Sequence, residues 1–306
     1  MGIDIHNLNL LAHARDIGVS FDRTLAIGRQ ALFIEDFELE RHGRLRGLPP
    51  LLEPAAIPGR PRYFEPLATQ WLGAKVADSV DASPYENARL IHDMNLPWPV
   101  DSAERGSYDA VLDFGCLEHV FNFPVAWRNC VDLCRVGGHV LHSLPANNLS
   151  GHGFYQFSPE LFFNLYQAQN GFEMRGLWFA MKADRLHWWQ VANPMDVKRR
   201  VNLCNSHEVY MLVVARKLRD VGVLPAPQQS DYAQAEWVRG PGSAPGAPAS
   251  GGGRQAFVKQ LAKWGFIDAM RAGRERLRVV RRSGLDLPEP DYRRVDVHGL
   301  IDRARA

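Results

Sequence analysis

One stretch constrains this chain more than any other: Tyr108–Pro145, YDAVLDFGCLEHVFNFPVAWRNCVDLCRVGGHVLHSLP. Asp109-Ala110-Val111-Leu112 reads as a short strand that a sheet can bury on both faces. The turn Leu117-Glu118-His119-Val120 follows at its carboxyl end. Ala126, Trp127, Cys130, Val131 and Cys134 then recur at three- and four-residue intervals, the spacing of one helix face. Gly137-Gly138 is expected to stop that helix, and His139–Leu144 is the next strand. Strand, turn, helix, glycine turn and strand make one βαβ unit of a parallel sheet.

This block resembles the second half of a class I S-adenosylmethionine-dependent methyltransferase. The resemblance rests on the aspartate-bearing apolar strand, the Leu117-Glu118-His119-Val120 turn, and the Arg135-Val136-Gly137-Gly138 turn before the next strand. It implies a Rossmann-like α/β fold with a seven-strand, mostly parallel sheet and an antiparallel final edge. Thr24–Gly28 reads as the first strand, Ala74–Asp81 as the second and Ala88–His92 as the third. Gly171-Phe172-Glu173 opens the sixth, and Glu208–Ala215 is the seventh.

The resemblance also implies site residues. Asp81, at the end of the second strand, is placed to take the two ribose hydroxyls of S-adenosylmethionine, since a carboxylate offers two acceptors to two adjacent donors. Asp93 matches the position near the adenine amino group, and Met94 packs against the ring. Gly28 and Arg29 border the methionine portion. Here the sequence departs from the acid-x-Gly-x-Gly-x-Gly form of the family: Ala26 stands where an acid is often found, and Arg29, Gln30, Ala31 and Leu32 follow Gly28. Three readings stay open. The loop binds the cofactor in a modified way with Arg29 facing its carboxylate, it binds another anion, or cofactor binding is lost.

After the fifth strand, Pro145–Phe157 holds two amides (Asn147, Asn148), an imidazole flanked by glycines (His152) and three aromatics, Tyr155 among them. Such a loop can lay rings against a sugar-like or aromatic acceptor and present polar groups around it. His152 is the first candidate for acceptor contact or base. His119 is the second, because imidazole titrates near ~6.5. Asn147, Asn148 and Tyr155 are candidate acceptor contacts. The histidines show no metal-ligand spacing, so no metal is assigned. Ser158-Pro159-Glu160 is a helix start, with serine as cap and proline in the first turn. The insert Lys182–Ser206, with its basic residues and tryptophans, is placed to close the acceptor pocket or form a dimer contact.

The resemblance, and composition beyond it, divide the chain into three segments. Residues 1–218 carry the methyltransferase-like domain, with residues 1–20 forming a short helix over a sheet face. Residues 219–254, rich in glycine, proline and serine after residue 240, read as a flexible linker. Residues 255–306 form a basic helical extension and tail. Within it, 255–282 pairs an apolar stripe (Phe257, Leu261, Trp264) with lysines and arginines, which suits a partner protein or peripheral contact with an anionic membrane. The tail from Ser283 is expected to be loosely held.

The charge is nearly balanced, 36 basic against 34 acidic side chains, which leaves no global footprint for nucleic acid. Four cysteines in 306 residues build no disulfide framework, and a reducing, cytoplasmic setting is expected. The function expected is methyl transfer from S-adenosylmethionine to an oxygen or nitrogen of a small, sugar-like acceptor. The alternative is a methyltransferase-like scaffold or binding protein without the cofactor.

Overall fold

The computed structural model describes residues 2–52, 61–203, 205–222, 226–230, 273–274 and 291–297. In chain order the elements are β1 (Gly2–Ile3), α1 (Ile5–Asp16), β2 (Arg23–Ile27), β3 (Ala31–Leu32), α2 (Asp36–Leu45), α3 (Glu65–Trp71), β4 (Val76–Asp81), β5 (Leu90–Ile91) and β6 (Tyr108–Phe114). There follow α4 (Phe123–Leu133), β7 (Cys134–Asn147), α5 (Pro159–Leu165), β8 (Phe172–Met181), β9 (His187–Val191), α6 (Pro194–Val197), β10 (Val209–Lys217) and β11 (Tyr292–Asp296).

Among the described residues nine strands form one sheet in the order β11-β9-β8-β10-β7-β6-β2-β4-β5. The five strands β5, β4, β2, β6 and β7 run parallel. β10 inserts antiparallel between β7 and β8. With β2, β4, β5, β6, β7, β8 and β10 as strands one to seven, this is a Rossmann-like sheet with an antiparallel edge, the class I methyltransferase-like fold.

Strand alternation explains the layers. Leu25, Ile27, Val111, Met211 and Val213 face one core with Phe123, Trp127 and Phe162 of α4 and α5. Ala26, Ala110, Leu112, Leu212 and Val214 face the other, with Leu8, Leu11 and Leu67 of α1 and α3. Strands apolar at every position are thus buried on both faces, as parallel sheets require. Lys217 is buried and donates to the carbonyls of Val131 and Cys134 at 2.9 and 2.8 Å, satisfying carbonyls at the end of α4.

Three expectations change. Gly137-Gly138 does not stop α4, which ends at Leu133; both glycines lie inside β7. A Cβ on Gly138 would stand 2.8 Å from the Asp109 carbonyl, so glycine is needed there for the approach of β7 to β6 at a register shift. The Lys182–Ser206 insert supplies an extra strand, β9, antiparallel to β8. Its adjacent tryptophans divide between the faces: Trp189 joins one core and Trp188 the other. Finally, part of the tail is not loose. Tyr292–Asp296 pairs antiparallel with β9, and Tyr292 is buried against Phe179.

The predicted linker between 231 and 254 and the basic helix 255–282, residues 273–274 apart, lie outside the described residues. No helix among the described residues is long and apolar enough to cross a membrane.

Candidate functional site

The resemblance puts the nucleoside at the carboxyl ends of β2 and β4, the β2–β4 crevice of that fold. A cavity lies over β6, β7 and β10.

At the crevice, Gly28 has φ +73° and its N–H donates to the Val80 carbonyl at 2.7 Å. No helix starts after it. The chain stays extended into β3, which pairs with β1, and a bridge joins Ala31 to Tyr63. Gln30 is buried, and its amide donates back to the Ile27 carbonyl at 2.7 Å. The Arg29 guanidinium pairs with Glu65 at 2.7 Å and donates to the Glu86 carbonyl at 2.6 Å. It also lies 4.0 Å from the centre of the Tyr63 ring. Arg29 therefore ties the end of β2 to the loop after β4.

Asp81 ends β4 and accepts from the Ser83 N–H, and Asp93 is exposed and accepts from the Asn95 backbone and amide. Those two bonds hold the Asp93 carboxyl below its usual range. Met94 is buried. Of the features the resemblance asks for, Gly28 and the Asp81 carboxylate are present, while no helix starts after Gly28 and the larger Arg29 and Gln30 follow it.

The cavity is about 410 Å³, within the range of small-molecule sites. Its lining includes Asp4, His6, Glu118, Ser143, His152 and Tyr210, with Lys182 and Arg185. The two cations have partners: Lys182 pairs with Glu208 and Arg185 with Glu38.

Glu118 is the centre of the cavity's chemistry. The local fold dictates its position. Asp113, at the end of β6, accepts from the Cys116 and Leu117 N–H groups at 3.1 Å and so pins the 3-10 turn Leu117–His119. The other Asp113 oxygen lies 2.7 Å from His142 Nδ1, and His142 Nε2 lies 2.6 Å from Tyr166 Oη, all fully buried.

From the opposite side, the loop Leu149–Phe157 docks on Glu118: the Phe154 N–H donates to the Glu118 carbonyl at 2.7 Å. Gly153 permits this. It has φ +73°, and a Cβ there would stand 2.7 Å from the Glu118 carbonyl oxygen. The docking brings His152 Nε2 to 3.3 Å from Glu118 Oε1, with His119 Nε2 at 3.8 Å. The two rings meet edge-on at 5.0 Å. Glu118 is 0% exposed, and neither carboxyl oxygen has a hydrogen-bond partner among the described residues. Burial, then the charge of Asp113, push its pKa up to about 8. Burial, then the neighbouring His152, lower that of His119.

The structure thus brings His152 and His119 together around Glu118. It places the other predicted residues elsewhere. Asn148 donates to the Asn205 and His207 carbonyls, and Asn147 donates to the Asn205 side chain, so both amides tie down a neighbouring loop. Tyr155 donates to the Phe121 carbonyl at 2.6 Å. Gly28, Arg29, Asp81, Asp93 and Met94 lie at or after the ends of β2, β4 and β5 and do not line the cavity. Sequence reasoning passed over Glu118, whose only signal was its place beside His119, and the N-terminal residues Asp4 and His6.

No family model and no curated protein matches this chain. Among solved structures it is similar to the trans-methyltransferase CalH in complex with SAH, at 14% identity over 69% of this chain and TM-score 0.35. It spans 55% of that chain. It is similar to the Burkholderia thailandensis 1,6-didemethyltoxoflavin-N1-methyltransferase, at 14% identity over 70% of this chain and 79% of that one, TM-score 0.37. The [4+2]-cyclase SpnF shows the same degree of likeness, at 14% identity over 70% of this chain and 80% of that one, TM-score 0.34. Likeness at this level says nothing of chemistry, and the fold rests on the strand order.

Proposed function

We propose that the chain acts on a small, hydroxyl-bearing, sugar-sized molecule held in the cavity over β6, β7 and β10, without a nucleoside in the β2–β4 crevice. The observation that carries this is Glu118, buried without a hydrogen bond, which lines the cavity with His152 and has His119 beside it. Carboxylate and imidazole together can orient a hydroxyl and take its proton. His152 is the first residue assigned to acceptor contact and His119 the second.

The second reading is methyl transfer from S-adenosylmethionine to an oxygen or nitrogen of that molecule. It is favoured by Asp81, which ends β4 next to Gly28 at the end of β2, and by Asp93, two residues after the adjacent β5. It requires Arg29 to release Glu65 and Glu86.

Calorimetric titration with S-adenosylmethionine and S-adenosylhomocysteine separates the two. The wild-type chain is expected to give no saturable heat. Saturable binding that Asp81→Asn weakens would replace the first reading with the second.

A further inference from the structure

The geometry points to a divalent transition-metal site formed by Glu118, His119 and His152, open toward the cavity. This goes beyond the reading above. It concerns what the cluster holds, whichever molecule enters.

The distances carry the argument. The Glu118 oxygen stands 3.3 Å from His152 Nε2 and 3.8 Å from His119 Nε2, and the ligand atoms of the three residues lie within 4.8 Å of one another. Neither contact makes a hydrogen bond, since both Glu118 oxygens are without one. Two atoms that each sit ~2.1 Å from a shared ion are separated by about 3.0 Å at a right angle and about 3.4 Å at the tetrahedral angle. The 3.3 Å pair already has that spacing, and the longer one needs a small rotation of an exposed imidazole.

Glu118 gives the second, independent observation. A carboxyl group buried without a hydrogen bond is costly, and His152 and His119 approach Glu118 without making one. The nearby cations Lys182 and Arg185 are spent on Glu208 and Glu38. An ion at the cluster would give both oxygens a partner.

The donor set selects the ion. Two imidazoles and one carboxylate suit zinc, iron, cobalt or manganese(II) rather than magnesium or calcium. Both imidazoles are nearly half exposed, 43% for His119 and 44% for His152, and Glu118 and His152 line the cavity, so an ion there would keep open positions. An ion there would supply Lewis acidity that lowers the pKa of a hydroxyl of the bound molecule, and the imidazoles that hold it would then not take the proton. The sequence showed no metal spacing because the ligands come from two segments that meet only when the Leu149–Phe157 loop docks.

The test uses the full chain stripped with a chelator and titrated with Co²⁺ alone, followed by its visible d–d bands and by calorimetry. One equivalent should bind. His119→Ala and His152→Ala should each weaken binding by more than the about 10–100-fold that loss of an outer-shell partner costs. Asp101→Asn, an exposed acid before β6 and away from the cluster, should leave it unchanged. Both histidines are exposed, so their variants keep the fold, which circular dichroism verifies; they decide the matter even if Glu118→Gln unfolds. Absence of Co²⁺ binding by the folded chain would overturn the proposal. So would equal binding by the His119→Ala/His152→Ala double variant. Neither outcome depends on nucleoside or acceptor binding.

Discussion

Gly153→Ala tests whether the docking of the Leu149–Phe157 loop on Glu118 builds the cavity wall. Gly153 has φ +73°, and the added Cβ would lie 2.7 Å from the Glu118 carbonyl oxygen and 2.9 Å from its Cγ. A left-handed backbone costs a residue with a Cβ about 1–2 kcal/mol. Relieving the overlap costs about 1–3 kcal/mol more, because the nearest atom is backbone and cannot rotate away. The loss of unfolded-state freedom on going from glycine to alanine returns about 0.4–1 kcal/mol. The net destabilisation is about 1–4.5 kcal/mol if the loop stays docked. Otherwise it is smaller, and the loop detaches. Gly151→Ala is the control: nothing lies within 4 Å of its Cβ position, so its effect should stay within about 0.5 kcal/mol. Urea denaturation at constant m-value reads the difference. A chemical-shift map of the His119 and His152 rings reports detachment. If Gly153→Ala matches Gly151→Ala in stability and leaves both imidazole resonances in place, the close approach is not a constraint and the reasoning fails.

Two further outcomes are expected. His13 and His139 are buried, and desolvation lowers each pKa from 6.5 to about 4. Their protons bind more readily in the unfolded chain, so stability present above pH 6.5 is lost as the pH falls toward 4. At about 1.4 kcal/mol per unit, the loss is at most about 3 kcal/mol for each. A His13→Asn/His139→Asn chain should show a flatter urea-midpoint profile over that window, and an identical slope in both proteins would contradict the assignment. Tyr292→Ala should cost about 3–5 kcal/mol, as for a large buried aromatic, and should open the sheet edge to proteolysis. A loosely held tail predicts no change in either.

The parts legible from sequence were local. Ser158-Pro159-Glu160 signals its helix start within three residues, and Ser158 Oγ does accept from the Glu160 N–H. The strands β2, β6 and β10 announce themselves by apolar runs that need no partner to be recognised. The site was legible only in halves. His119 and His152 each stood out by chemistry, but the carboxylate between them did not, because its burial and lack of a partner arise when two distant segments meet. The Arg29 ties to Glu65 and Glu86 and the pairing of β11 with β9 are likewise long-range. A pattern of residue types along one segment does not contain them. Gly137-Gly138 misled for a related reason: glycine can end a helix or admit a neighbouring strand, and only the neighbour decides.

The pairing of β11 has a consequence for how the molecule is made. Its strand partner among the described residues is β9, which stands one place in from that edge of the sheet. On a ribosome β9 emerges long before Tyr292–Asp296 is synthesised. Until then its outer row of N–H and C=O groups has no β11 to bond with, and the surface against which Tyr292 packs is uncovered. An open strand edge recruits other strands, including those of nascent neighbours. The last turnings of this chain therefore act as its own gatekeeper. Premature termination before Tyr292 should show itself first as aggregation during expression, while the cavity over β6, β7 and β10 is already complete.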